Sequence, residues 1–387
     1  MKQHQQTMDF SLEEEHEMIR DSAREYAERV LKPASTEWDR AEALSDEGLA
    51  AAAEAGFMGL TTPEENGGTG FGNLHSCLML EEINRWDAGM GVTLSVHNSL
   101  VCSLVARHGS EDQKGRWLPR LACGELLGAY CLTEPQAGSD AASIRCRAEK
   151  SDGGWTLKGT KSWVTSGDRA GLYVVYAVTD PDAKPGYGIG AFLVPASAEG
   201  VRAGKKEEKL GIRSSTTTEV LLENVFVPET DVIGDPCEGF KIALDALDGG
   251  RLGIASQALG IHRACLEDSL SYAKEREQFG KPIAEFQAIA WKLADMATSL
   301  DASRLLVHRA AWLRDQGEIC TKECSMAKLA ASRACNEAAQ DAVQIHGGAG
   351  YTTEFRVEKY FRDARITEIY EGATDIQRLV ISRKLLR

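Results

Sequence analysis

The sequence predicts an α+β fold in three parts: an N-terminal all-α domain over residues 1–124, a middle antiparallel β domain over 125–232 and a C-terminal four-helix bundle over 233–387. Three observations predict it. Apolar residues recur with helical period as far as Gly124. β-rich runs broken by Gly and Pro fill the middle, and the helical period returns after Gly234 and stays. Helices, then strands, then helices in separate blocks is the α+β order. At 387 residues the chain is long enough for two or three domains with a large core.

Each element follows from local pattern. Ile19, Tyr26 and Val30 predict a first helix, the alanine-rich run at 44–55 a second, and the apolar stretches at 78–83 and 92–105 two more. TTPEENGGTGFGN, at 61–73, is a loop by its glycines and proline. Ser110 with Gln113 three residues on is a capping-box signal for the helix through Trp117 and Leu121. Residues 143–150, a turn at Asp152-Gly153-Gly154 and residues 155–160 read as a hairpin. Strands at 172–178, 189–195 and 217–227 complete the sheet, with KKEEK (205–209) as a solvated loop. Residues 240–274 begin the bundle. From Pro282 a series through Ile283, Phe286, Ile289, Leu293 and Leu305 predicts a helix of about 50 Å at 1.5 Å per residue. The alanines of 321–345 predict a close-packed partner, stopped by Gly347 and Gly348.

Composition narrows the class of function. A formal net charge of -14 argues against nucleic acid or an anionic membrane as the main partner. No apolar run is expected to reach the length of a membrane span. The N-terminus lacks the apolar core of a signal peptide and is too acidic for a transit peptide, and ten cysteines without a CxxC read as reduced thiols. The expected location is therefore cytoplasmic, or the mitochondrial matrix for a mature eukaryotic chain. Cys320 and Cys324 lie one helical turn apart and read as small core residues. Without a GxGxxG or a P-loop, a nicotinamide-binding Rossmann domain is not expected.

The stretch RDARITEIYEGATDIQR, at 362–378, places Glu371-Gly372 at a break between two apolar-periodic segments. A tight turn there can present a carboxylate to a cavity. Thr374 or Asp375 is positioned to cap the helix that follows. Four more segments accompany it: YCLTEPQAGSD (130–140), KSWVTSG (161–167), REQFGKPIAEFQ (276–287) and QIHGGAGY (344–351). Five such motifs in this order resemble the acyl-CoA dehydrogenase family. DGGRLGIASQALGI and the ending ARITEIYEGATDIQRLVIS look most like its short-chain, butyryl-CoA type.

The resemblance implies an FAD enzyme that converts a short acyl-CoA to the trans-2-enoyl-CoA and passes electrons to electron-transfer flavoprotein. Glu371 matches the catalytic base. Tyr130, Leu132, Thr133, Gly138, Ser139, Trp163, Val164 and Thr165 match the flavin-binding motifs. Arg276 and the segment with Gln344, Gly347 and Gly348 match positions that serve a neighbouring subunit's FAD, which implies a homo-oligomer, typically a tetramer, and Phe279 and Gln287 match further FAD contacts. Ser139, Asp248, Arg251 and Gly372 match substrate contacts. Ala373, Thr374 and Asp375 match the FAD-contact segment after the base, but Ala373 departs from the family's usual Thr, so a hydroxyl contact to FAD is lost there or Thr374 replaces it. Some relatives carry the base one residue before the arginine matching Arg251; that position is Gly250 here, in agreement with Glu371. His346 has no clear catalytic part. The alternatives are a flavin oxidase or monooxygenase on the same fold, a dehydrogenase for branched or cyclic acyl-CoAs, and a helical scaffold without cofactor.

Overall fold

The computed structural model describes residues 11–386. The expectation about the N-terminal leader falls largely on residues 1–10, outside the described residues. The chain opens on α1 (Glu14–Tyr26), α2 (Lys32–Ala41), α3 (Asp46–Glu54), α4 (Asn73–Asn84), α5 (Ala88–Ser95), α6 (Ser103–His108) and α7 (Glu111–Ala122). α1 buries Ile19, Ala23 and Tyr26, a stripe at helical spacing, and its acidic first turn suits the positive end of the helix dipole. The capping box of α7 forms as expected: Gln113 N donates to Ser110 Oγ at 3.2 Å, and Ser110 N to Gln113 Oε1 at 3.0 Å.

The expectation that no apolar run reaches the length of a membrane span fails at α5. α5, a π-helical stretch and α6 run on as one 21-residue helix, Ala88–His108, long and apolar enough to cross a membrane. Of its most apolar window, 89% is buried inside the protein. Its hydropathy is that of a core helix: Val92, Leu100, Val101 and Val105 pack into the main apolar cluster.

The middle region holds β1 (Gly128–Cys131), β2 (Arg147–Ser151), β3 (Gly154–Thr165), β4 (Leu172–Val178), β5 (Ile189–Pro195), β6 (Val201–Lys206), β7 (Thr217–Pro228) and β8 (Val232–Ile233). They form one sheet in the order β6-β7-β3-β2-β4-β5-β8, with β1 beside β4. The pairings are antiparallel except β1 and β2 on β4, which run parallel. β2 and β3 make the expected hairpin, with Ser151 opposite Gly154. β6 was not expected. It takes Lys205 and Lys206 from the presumed loop; as an edge strand it carries charge and little apolar side chain, so periodicity could not find it.

The bundle consists of α8 (Gly239–Glu275), a small hairpin of β9 (Glu277–Gln278) and β10 (Lys281–Pro282), then α9 (Gln287–Asp315), α10 (Thr321–His346), α11 (Val357–Ile366) and α12 (Thr374–Leu385). α10 packs on α8, α9, α11 and α12, and α4 lies across α8 and α9. α9 starts at Gln287 rather than at Pro282, so its 29 residues span about 43 Å. The hairpin explains the shift. Phe279 and Gly280 have φ of 53° and 79°, as a two-residue turn of this hand needs, and Ile283 N closes on Arg276 O at 2.8 Å. A second correction concerns α12: its N-cap is Ala373, and neither Thr374 nor Asp375 caps it through a side chain.

Candidate active site

Glu371 stands in the turn between α11 and α12 with φ 51°, followed by Gly372 at 89°. A left-handed non-glycine residue costs about 1–2 kcal/mol, so neighbours must hold it. Lys328 Nζ donates to Gly372 O at 2.9 Å. Gln377 Nε2 donates to the same oxygen at 2.7 Å and to Glu371 O at 3.1 Å. The turn's own N–H groups, those of Glu371 and Gly372, have no acceptor among the described residues.

The Glu371 carboxyl faces α8. A Cβ on Gly250 would come within 2.7 Å of Oε2, so glycine there lets helix and carboxylate meet. Oε2 is buried and has no hydrogen-bond partner. Burial pushes this carboxyl up to about 7, against the pull of Arg251 and Lys328. An unpaired, desolvated carboxylate beside free amide donors can take a proton from a weak carbon acid while the amides polarise its carbonyl.

A cavity of about 900 Å³ opens beside α8, lined by Asp248, Arg251, Arg314, Cys320, Thr321, Arg383 and Lys384 among others. Asp248 and Arg251 are paired, but they are buried, not an exposed helix pair. Thr321 Oγ1 also donates to Asp248 Oδ2 at 2.6 Å, and Arg251 Nε has no partner. Arg383 and Lys384 are exposed and form no ion pair among the described residues, which leaves cations at the rim for an anionic ligand.

On the sheet side, Tyr130 reaches α8 through its hydroxyl, 3.4 Å from Ala243 O, and senses the Glu371 charge. Leu132 is buried, and its carbonyl accepts from Lys161 Nζ at 3.2 Å. Thr133 O accepts from Ser162 N at 2.9 Å, so the 132–134 loop is laced to β3. The register slips between Lys161 and Val164, Trp163 takes φ 60°, and its indole is 62% exposed. A tryptophan turned outward at a bulge offers a flat apolar face, as a residue of the flavin-binding motif should. Val164 points into the sheet core, so it can offer a ligand only backbone. Gly138 and Ser139 lie on the exposed turn beyond, and the Thr133, Ser139 and Thr165 hydroxyls bond to nothing among the described residues. Free hydroxyl donors around an exposed indole fit the polar edge and flat ring of a flavin.

A third group lies apart. Arg276, Phe279, Gln287, Gln344, Gly347 and Gly348 are all exposed. Arg276 is 25 residues beyond Arg251, about 37 Å along α8. It cannot serve the Glu371 site of its own chain. Its guanidinium has no carboxylate partner among the described residues, and Phe279 is 94% exposed. His346 beneath this surface is structural: Nδ1 meets Ala342 O at 2.8 Å, and the ring stacks on Tyr272. Thr374 turns its hydroxyl back to Glu368 O at 3.2 Å, Ala373 contributes backbone, and exposed Asp375 pairs with Arg378 at 2.7 Å.

Sequence reading missed Lys328, Gln377 and the pair Glu134–Lys161. Lys328 had a signal, a lone cation among the inward-facing alanines of α10. Gln377 had none, because only the folded turn shows which carbonyls need donors.

Comparison with known proteins follows the same line. Three family models match: acyl-CoA dehydrogenase, N-terminal domain, over residues 13–125; middle domain, over 129–225; and C-terminal domain, over 237–386. The short-chain specific acyl-CoA dehydrogenase of rat mitochondria is 45% identical over 376 residues, 97% of this chain and 91% of its own. The structure of butyryl-CoA dehydrogenase from Megasphaera elsdenii matches with a TM-score of 0.96 at 40% identity, over 98% of this chain and 100% of that one. A chain solved in work on the electron transferring flavoprotein of Acidaminococcus fermentans matches at 0.97 and 43% identity, over 98% and 100%.

Proposed function

The chain belongs to the acyl-CoA dehydrogenase family, flavoprotein oxidoreductases acting on the CH–CH group of their donors, and from that premise we propose that it oxidises short acyl-CoAs to trans-2-enoyl-CoAs with FAD. The observation that carries this reading is Glu371: a half-buried residue whose Oε2 is buried without a partner, its carboxyl raised to about 7, on a turn whose N–H groups are free. Glu371 takes the proton α to the thioester. The amide of Glu371 donates to the thioester oxygen and stabilises the charge that builds there. FAD, when bound, supplies the acceptor for the β hydride. Tyr130, Thr133, Ser139, Trp163 and Thr165 hold the ring and its phosphate-side arm, and Arg251 with the Arg383–Lys384 rim holds the CoA. Electron-transfer flavoprotein is the proposed acceptor, in keeping with the context in which one matched chain was solved.

The unpaired Arg276 and exposed Phe279 support a homotetramer in which this surface completes a neighbour's FAD site. A short acyl chain is supported by α8 itself. Seven residues beyond Gly250, about 10 Å along the same face, Gln257 is fully buried, donates to Ala88 O at 2.8 Å and accepts from the Tyr370 hydroxyl. In this reading the acyl pocket ends at this polar bridge. Gln257→Ala is expected to raise kcat/KM for octanoyl-CoA relative to butyryl-CoA by about tenfold or more. An unchanged ratio would place the end of the pocket elsewhere.

The direct test is anaerobic mixing with butyryl-CoA while following flavin absorbance. Bleaching with a long-wavelength band is the expected result. A yellow protein that stays oxidised with butyryl-CoA, but bleaches with longer or branched thioesters, would move the substrate and keep the chemistry. Rapid reoxidation of the product-bound flavin by oxygen would favour an oxidase.

A further inference from the structure

Lys328 is a buried lysine tied to the Glu371–Gly372 turn. It is 1% exposed on the alanine-lined face of α10, among buried Cys324, Ala327 and Ala331. A buried ammonium is costly unless a charge partner repays it. No carboxylate lies within ion-pair distance of it among the described residues, and its hydrogen bond goes to Gly372 O at 2.9 Å. That carbonyl already accepts from Gln377 at 2.7 Å. Gln377 also holds both carbonyls of the turn, so what Lys328 adds beyond a second bond is charge. The acidic groups it faces are Glu371 and Glu368. Glu368 is bound to Arg365 at 2.5 Å, whereas Glu371 Oε2 has no partner.

Resting on Glu371 as the base, we propose that Lys328 is a positioning residue for the reaction: its charge, fixed behind the Glu371–Gly372 turn, favours the ionised carboxylate that takes the proton. The charged and titratable groups facing Glu371 are Arg251 from α8, Lys328 from α10, Tyr130 from β1 and Tyr370 beside it. Those facing Lys328 are Glu371, Glu368 and Arg251. Both Arg251 and Lys328 draw the carboxyl toward its ionised form; Arg251 is shared with Asp248, whereas Lys328 has no ion-pair partner among the described residues and is tied to the turn itself. Burial pulls Lys328 down to about 8, so it is charged where Glu371 ionises.

The test is the pH profile of butyryl-CoA oxidation by the FAD-loaded enzyme in Lys328→Met, Lys328→Gln and Lys328→Arg. In the Met variant the acid limb of kcat should move to higher pH by about one unit, with KM unchanged and the melting temperature equal or higher. The Gln variant, which keeps a donor and loses the charge, should shift alike and stands in if the Met variant does not fold. The Arg variant should restore the limb. A limb at its original pH in the Gln variant, or one displaced equally in the Arg variant, overturns the proposal. Glu371→Gln run in parallel separates the two readings. Normal turnover there would remove the base itself, whereas a dead Glu371→Gln beside an unshifted Lys328→Gln would remove only the role of Lys328.

Discussion

Glu371→Gln should stop flavin reduction by butyryl-CoA, with a loss of about 10³-fold or more, in a protein that stays folded and yellow. The substitution keeps size and hydrogen-bonding shape and removes only the basic form, so a retained rate would mean that another group takes the α proton. In the parent enzyme the carboxylate is the competent form, and burial holds its pKa at about 7. Activity of the free enzyme should therefore fall as pH drops through about 7. The same shift carries a stability signature of opposite sense. A carboxyl raised from 4.5 to about 7 by folding costs nothing below pH 4.5, and its ionised form costs progressively more until pH passes about 7. That cost amounts to about 3 kcal/mol at most. Glu371→Gln should thus melt with the parent at pH 4.5 and above it at pH 8. Identical melting at both pH values would mean that the carboxyl is better solvated than its surroundings indicate. Loss of activity with gain of stability is what a group kept for chemistry against the interest of the fold should show.

Much of this was legible in the sequence, for identifiable reasons. Residues at 321–345 announce a buried helix because alanine recurs wherever the helix turns inward, and the helix ends at His346, against Gly347 with φ 60°. The Glu371-Gly372 turn was legible because it interrupts apolar period on both sides. Illegible features depend on partners far away in the chain. β6 is an edge strand whose only signal is pairing with β7. The late start of α9 follows from a hairpin that ties Ile283 to Arg276, which apolar spacing alone cannot register. Asp248 and Arg251 were legible as a substrate-contact pair only through the motif they belong to, because the cavity they line is built by α10 and α12 as well as α8. Trp163 was legible as a flavin contact only through its motif; that it turns outward depends on the bulge between Lys161 and Val164. At the site, sequence could name groups that act on a ligand, and it missed groups that act on those groups.

The pair Glu134–Lys161 is the clearest of these, and its loss should have the largest effect on stability. Lys161 Nζ lies 2.7 Å from Glu134 Oε1, with the two side chains 0% and 3% exposed. Glu134 further accepts from Arg145 N at 2.6 Å, Cys146 N at 2.9 Å and Gln136 Nε2 at 2.7 Å. Burial acts to raise its pKa, but Lys161 and the backbone donors outweigh it and hold the carboxyl below its usual range. Its stabilising effect is therefore present above the unfolded value and is lost as pH falls through the lower, folded one. Lys161→Met leaves that carboxylate buried with its cation gone, at a cost of about 3–5 kcal/mol. The damage should not stop at stability. Lys161 also holds Leu132 O, so the 132–139 loop proposed to meet the flavin would lose its tie to β3. FAD should then be released at lower temperature and from a more dilute protein than in the parent. Charge and packing can be separated by adding Glu134→Gln to Lys161→Met. If the unpaired carboxylate is the cause, the double variant should recover most of the lost stability, since the amide can still accept one of the backbone donors and carries no charge. If the double variant is as unstable as Lys161→Met alone, the loss comes from the bond to Leu132 O and from packing, and the ion pair contributes little to the fold.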